Sequence, residues 1–352
     1  MLDCALIQSV LQKARYWDMN FPLFGSNLHA HLFRPPLPER ELDAWEELME
    51  LRLPADYRTY LTQLGNGGAG PAYGLMPFEF PLQETLREET VFSDSHAARF
   101  EALVRQWYET FHQDWDERYE LYCAQTPEGA RLSYEDWDEA QGRYMEEHLE
   151  RPLFENGQLL IANQGCSVDI YLLLNGSHRG DCHEGNQEYD YSYPLWYQSK
   201  GPYAPITWSQ YQSFFTPFSD YLMDYVERVE ELCASLSPEQ RQQAQRERAQ
   251  VREFQAALDG ADWDEVLRML MKLDPTALSL KSRSFYLYYQ DTLQRSLPDR
   301  PEVAAFFQGI QKSRRTNSGW EFTVFQETCF SGSRYPHPNF AQFLRTFEEP
   351  EE

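Results

Sequence analysis

No two cysteines stand in C-x-x-C spacing: Cys4, Cys123, Cys166, Cys182, Cys233 and Cys329 are scattered singly along 352 residues. That scatter excludes paired-thiol redox and zinc motifs and reads as reduced thiols of a cytoplasmic protein. No run of about 18 apolar residues occurs, so no membrane-spanning helix is expected. The opening stretch, MLDCALIQSVLQKARYWDMN, lacks a basic start followed by an apolar core and does not read as a secretory leader. Bases are scarce too. Against 56 Asp+Glu the chain has 31 Lys+Arg, a formal charge of −25. A surface so acidic repels nucleic acid and anionic membranes and speeds encounter with basic partners.

What is present suffices for a real core: 42% of residues are hydrophobic and 15% aromatic, which excludes wholesale disorder. The length suits two domains, or one with large insertions. The charge is uneven. Residues 1–235 hold 39 acids against 16 bases, whereas residues 236–352 hold 17 against 15. The reading is therefore an acidic first domain, 1–235, and a nearly neutral, mostly helical C-terminal domain, 236–352.

Periodicity orders the chain further. PERELDAWEELMEL and LPADYRTYLTQL read as two consecutive helices over 38–64, the second with Tyr57, Tyr60, Leu61 and Leu64 on one face. Gly65 stands where a left-handed residue would end that helix, and Gly70-Pro71 forbids its continuation. From His96 an apolar stripe runs through Phe100, Val104, Trp107, Phe111, Trp115, Tyr119 and Tyr122. TPEG breaks it at 126–129, and Ser133 with Asp136 caps a restart carrying Trp137, Tyr144, Met145 and Leu149. This predicts an antiparallel helical hairpin within residues 86–150, which hold 17 acids against 6 bases. GQLLIA, VDIYLLL and RGDCHE then read as strands, with a turn at Asn175-Gly176. Thr207 with Gln210 caps a helix to about Cys233, in which Pro217 predicts a kink or a late start. Beyond residue 236, QRQQAQRERAQVREFQAAL, DWDEVLRMLMKL and SRSFYLYYQDTLQRSL read as three helices, and GWEFTVFQET as a strand or extended segment.

The chemical motifs all have plainer structural readings. The glycines of GNGGAGPAYGL follow a helix, with no lysine nearby. A P-loop needs a strand before, a helix after and a Lys-Ser/Thr, so these glycines read as a turn. His178, Cys182 and His183, with Asp181 and Glu184, are the best metal-like group. Successive strand residues face opposite ways, however, which separates the ligands zinc would need. Cys166 in QGCS lacks an identifiable histidine base and reads as a small packed residue. Exposed aromatics in the 189–208 loop, among them Tyr191 and Trp196, would suit a protein interface. No catalytic residue, metal or cofactor is expected; the enzyme alternative is a metal-dependent hydrolase using His178 and His183.

The stretch PPLPERELDAWEELMELRLPADYRTYLTQLGNGGAGPAYGLMPF resembles the start of the SUKH superfamily, named for its fungal cell-wall-synthesis regulator members. Leu53, Pro54, Asp56, Tyr57, Leu61, Asn66, Gly67 and Gly68 match that pattern, and Gly68 to Leu75 match an extended bacterial form. A second block is matched by Gly165-Cys166, Tyr171 to Leu174, Asn175-Gly176 and Arg179-Gly180, and a terminal amphipathic helix by Trp208 to Cys233. The likeness covers about residues 20–85 and 151–235; residues 86–150 look like an insertion, and 236–352 have no counterpart. It implies an α+β fold, a twisted, mainly antiparallel sheet flanked by helices. It also implies a non-enzymatic, cytoplasmic immunity protein that binds and neutralises a cognate polymorphic or secreted bacterial toxin, such as a nuclease or deaminase. The alternative it offers is a scaffold or regulatory interaction module. Acidity independently favours a toxin with a basic surface, with Asp114, Asp116, Glu117, Glu120, Asp136 and Asp138 as contact charges and Trp107 and Trp115 as the hairpin's core.

Overall fold

The computed structural model describes residues 2–111, 115–165, 168–185, 196–197, 204–314 and 340–348. Among these the protein is mostly helical with one four-stranded antiparallel sheet, an α+β architecture. The sheet holds β1 (Gln158–Gly165), β2 (Val168–Leu173), β3 (Asp181–Gly185) and, after a two-stranded ribbon of β4 (Trp196–Tyr197) and β5 (Ala204–Pro205), β6 (Thr216–Pro217), in the order β1-β2-β3-β6. No helix among the described residues is long and apolar enough to cross a membrane.

Contacts divide the chain into two compact units that interleave in sequence. Among the described residues, the first gathers those of 38–59 and 78–221; the second gathers those of 2–37, 60–77 and from 222 onward. This spatial partition differs from the linear division at residue 235. The early segments 2–37 and 60–77 belong with the C-terminal helices, and the sheet belongs with the acidic hairpin.

In the first unit, register follows the alternation of side chains. Leu172 faces Cys182, Tyr171 faces His183, Ile170 faces Glu184, and Cys182 meets Thr216 on β6. Cys182 and His183 therefore lie on opposite faces of the sheet, as the period of two requires. The His183 face packs into a cluster of Val91, Phe92, Phe100, Val104, Met145, Leu149, Leu153, Leu173, Ile206, Trp208 and Tyr211. The Thr207–Gln210 capping box forms as expected, but its helix lasts one turn, Trp208–Tyr211. The chain then makes a 3-10 turn and β6, and the long helix begins only at Phe218 and runs to Ser235. The expected helix from Trp208 to about Cys233 is therefore interrupted, and its main part starts late, directly after Pro217, as that proline predicted. Pro217 has no N–H to sustain a helix, and β6 takes the chain to the sheet edge instead.

In the second unit, Cys4–Trp17 is a helix capped by Asp3, whose carboxylate accepts from the Leu6 N–H at 3.0 Å. Pro238–Asp259, Trp263–Lys272, Leu280–Tyr288, Gln290–Ser296 and Pro301–Arg314 follow in the C-terminal part. SRSFYLYYQDTLQRSL is two helices rather than one, because the backbone leaves the helical path at Tyr289. GWEFTVFQET lies outside the described residues. One core cluster joins Met19, Phe21, Ala30 and Leu32 to Val251, Phe254, Val266, Leu270, Phe285, Phe307, Ile310 and Phe347.

Two buried basic side chains tie this unit together by an indirect route. Arg248, 1% exposed, stacks 3.8 Å from the Tyr16 ring and donates to the carbonyls of Tyr16 (3.3 Å), Thr346 (2.6 Å) and Glu348. Lys281, equally buried, donates to Arg15 O (2.6 Å) and Thr346 O (3.0 Å). The acceptors are the terminal carbonyls of Cys4–Trp17 and the turn after Phe340–Arg345. Helix C-termini carry the negative end of the peptide dipole, so two of them together serve as the counter-charge. The compensation is partial: burial, and then the charge of Arg248, push the Lys281 pKa well down.

The helix before the glycine cluster also ends differently from expectation. Ala55–Thr59 widens into a π turn, Tyr60–Leu64, closed by Gly65 N–H donating to Tyr60 O at 3.0 Å. Gly65 is not left-handed. It is glycine because a Cβ there would fall 2.4 Å from Arg34 O and 2.6 Å from Phe33 Cβ. The left-handed residues are Gly67 (φ 85°) and Gly68 (φ 104°). Gly68 bridges Phe33 on one side and Leu75 on the other. The cluster therefore forms a miniature ladder inside the second unit and does not lead into the four-stranded sheet.

Candidate functional site

The acidic hairpin is built from its cap upward. Ser133 Oγ accepts from Asp136 N–H at 3.1 Å and donates to the Asp136 carboxylate at 2.6 Å, starting Tyr134–Met145. That helix runs antiparallel to Ala97–Phe111 and Trp115–Gln125. Gln106 reaches Tyr144, Arg118 reaches Gln141, and the Tyr119 hydroxyl donates to Leu132 O. Trp137, 4% exposed, is the centre of the hairpin. Tyr119, Tyr122 and Tyr134 pack around its ring, and the Arg118 guanidinium lies 6.0 Å from it. The hairpin's base belongs to the cluster of Phe92, Phe100, Val104, Met145 and Tyr211.

Asp116, Glu117 and Glu120 are exposed on one helix, and Asp136 and Asp138 on the other. The structure therefore brings five of the six expected contact charges onto one antiparallel pair. Glu139, also exposed, is engaged by Arg143 at 2.8 Å, an exposed pair of the kind worth about 0.2–1 kcal/mol. Asp114, Tyr191 and Cys166 lie outside the described residues, as do the side chains of Trp107, Trp115 and Trp196; the backbone of Trp196 forms β4.

The motif residues divide between the two units. In the first, Leu53 and Pro54 meet the second block directly: Arg179 Nη2 donates to Arg52 O (2.8 Å) and Leu53 O (2.9 Å), and Gly180 lies against Pro54. Tyr57 is buried edge-on to Phe218, with ring centres 5.1 Å apart. Gly165, Gly176 and Gly180 all have positive φ. Asn66, Gly67 and Gly68 belong to the other unit. Sequence reasoning missed Glu46. It is 2% exposed and accepts from Leu53 N–H at 2.9 Å and from Arg52 at 2.7 Å, locking the Leu-Pro segment to the Glu39–Leu48 helix. An acid on an otherwise apolar helix face, seven residues before Leu-Pro, was the available signal.

Among the described residues no group of three or more His, Cys, Asp and Glu is placed to hold a metal ion. His178 pairs with Asp181 at 3.1 Å. His183 has other partners: Gln158 donates its amide N–H to Leu153 O, which turns its oxygen toward His183 Nε2 at 2.8 Å. Nε2 therefore carries the proton, and Nδ1 accepts from the Tyr211 hydroxyl at 2.9 Å.

Burial pushes the His183 pKa down to about 3. An unfolded imidazole titrates near pH 6.5, so below that pH the unfolded chain takes up a proton that the folded chain refuses. Stability falls on acidification, and this histidine's share between pH 7 and pH 5 is about 2 kcal/mol. Glu184, whose carboxyl is raised by burial, works oppositely, because the folded form protonates first and acid relieves its cost. Urea melts at pH 7 and pH 5 are expected to show the loss, and a His183→Gln chain a flatter profile. Equal slopes in the two proteins would disprove it.

Comparison with family models, with curated proteins and with solved structures found no match to this chain.

Proposed function

We propose that the protein is a non-enzymatic inhibitor of the immunity type, which binds a cognate toxin inside the cell through its acidic hairpin. The observation that carries this reading is the exposure of Asp116, Glu117, Glu120, Asp136 and Asp138 on a helix pair rooted in an apolar cluster. Such an element presents concentrated negative charge on a stiff support, which steers a basic surface and competes with its anionic substrate. The contact of Arg179 with the Leu53-Pro54 segment supports the SUKH-like reading, because two motif blocks remote in sequence form one packed feature.

Co-expression with the product of the adjacent gene tests the reading. Neutralisation and co-purification are expected; if neither occurs, the immunity reading fails and the scaffold reading replaces it. In a bound pair, changing Glu117, Glu120 and Asp138 together to lysine is expected to lower the association rate by about 10- to 100-fold at low salt. It should also flatten the salt dependence while leaving the melting temperature within a few degrees. Stopped-flow mixing at two ionic strengths reads this, and an unchanged rate would move the contact elsewhere.

A further inference from the structure

A cleft of about 380 Å³ opens beside β3, lined by Gln164, Ile170, Cys182, Glu184, Ser213, Phe214, Thr216 and Tyr221, with His183 at its wall. We propose that it is a binding site for one organic monocation, an alkyl-guanidinium or alkyl-ammonium group paired with the Glu184 carboxylate. The size is within the range of small-molecule sites. The argument rests on the charge of its lining. Glu184 is half-buried beside its cross-strand neighbour Ile170, and among the described residues no Lys, Arg or His forms an ion pair with its carboxylate.

The other groups of the cleft are neutral. Cys182 is 2% exposed, and burial holds its thiol protonated. His183 is neutral with both ring nitrogens bonded. Tyr221 stays un-ionised, its hydroxyl raised first by burial. The lining therefore carries one negative charge at neutral pH. Burial raises the Glu184 carboxyl, an energetic cost that a bound cation would reverse. Phe214 and Tyr221 add aromatic surface, which attracts cations, while the Gln164 amide and the hydroxyls of Ser213 and Thr216 supply acceptors. An anion would meet the carboxylate, and a neutral ligand would leave it unpaired. The inference goes beyond toxin binding and does not depend on it.

The test is calorimetric titration of the full-length protein with n-butylguanidinium and, separately, with its neutral isostere n-butylurea. Saturable binding of the guanidinium is expected, at least about tenfold tighter than the urea and weakened by a similar factor in Glu184→Gln. That variant should melt no lower than the parent, which separates loss of the charge from loss of the fold. No saturable binding, equal affinity for the urea, or undiminished affinity in Glu184→Gln would each overturn the proposal. A capped Gly-Arg-Gly peptide distinguishes the sources. Tighter binding than n-butylguanidinium assigns the cation to a protein side chain, and weaker binding assigns it to a free small molecule.

Discussion

Replacing Arg248 by alanine is expected to cost about 3–5 kcal/mol, a large part of the stability of an ordinary domain. The guanidinium fork unites three carbonyls, Tyr16 O, Thr346 O and Glu348 O, with the face of the Tyr16 ring. Alanine would leave acceptors without donors in a dry interior and a cavity the size of the lost side chain. Lysine is expected to recover less than half of the loss, because it supplies a point charge where a planar fork is needed. The urea midpoint at fixed slope measures this. A loss below about 1 kcal/mol would show that the carbonyls find other donors.

Gly68→Val is expected to prevent accumulation of folded protein. A Cβ at this position falls 2.3 Å from Leu32 O, on backbone that already bonds to both neighbours of the ladder, and φ is 104°. A β-branched residue would have to move the backbone as well as adopt a disfavoured conformation. Gly67→Val meets Pro77 N and Leu75 O at 2.8 and 2.9 Å and should also be damaging. Gly142→Ala is the control. Nothing lies within 4 Å of its added methyl, and helix propensity favours alanine there by about 0.5–1 kcal/mol. Soluble yield and melting temperature of these variants decide the matter, and a well-folded Gly68→Val protein would refute it.

What the sequence disclosed was the local part of the physics. Ser133 and Asp136, three residues apart, announced their helix because both halves of the cap sit in one turn. Alternation placed Cys182 and His183 on opposite faces for the same reason. The Thr207–Gln210 box was equally readable, yet its helix ended after a turn, since β6 pairing with Asp181 and Cys182 is a long-range matter. Gly65 reads as a left-handed cap because such a cap and a close backbone approach both call for glycine, and only the proximity of Arg34 O separates them. The hairpin charges were legible as composition, but their gathering on one helix pair required the fold. Arg248 and Lys281 carried no sequence signal at all, because their acceptors belong to Tyr16, Arg15 and Thr346, far along the chain.

The interleaving of the two units bears on how the protein is made. The Cys4–Trp17 helix is synthesised well before its partners: Arg248, which bonds its end, comes 232 residues after Tyr16, and Lys281 lies 266 residues beyond Arg15. At a synthesis rate of roughly 5–20 residues per second, that helix waits roughly ten to fifty seconds for its partners. During this interval its apolar residues Ile7, Val10, Leu11 and Ala14 lack the C-terminal part of their unit, a natural target for a nascent-chain chaperone. A premature stop near residue 235 would therefore not release the acidic half as a working fragment. It would release a chain whose first helix never receives the residues that close over it.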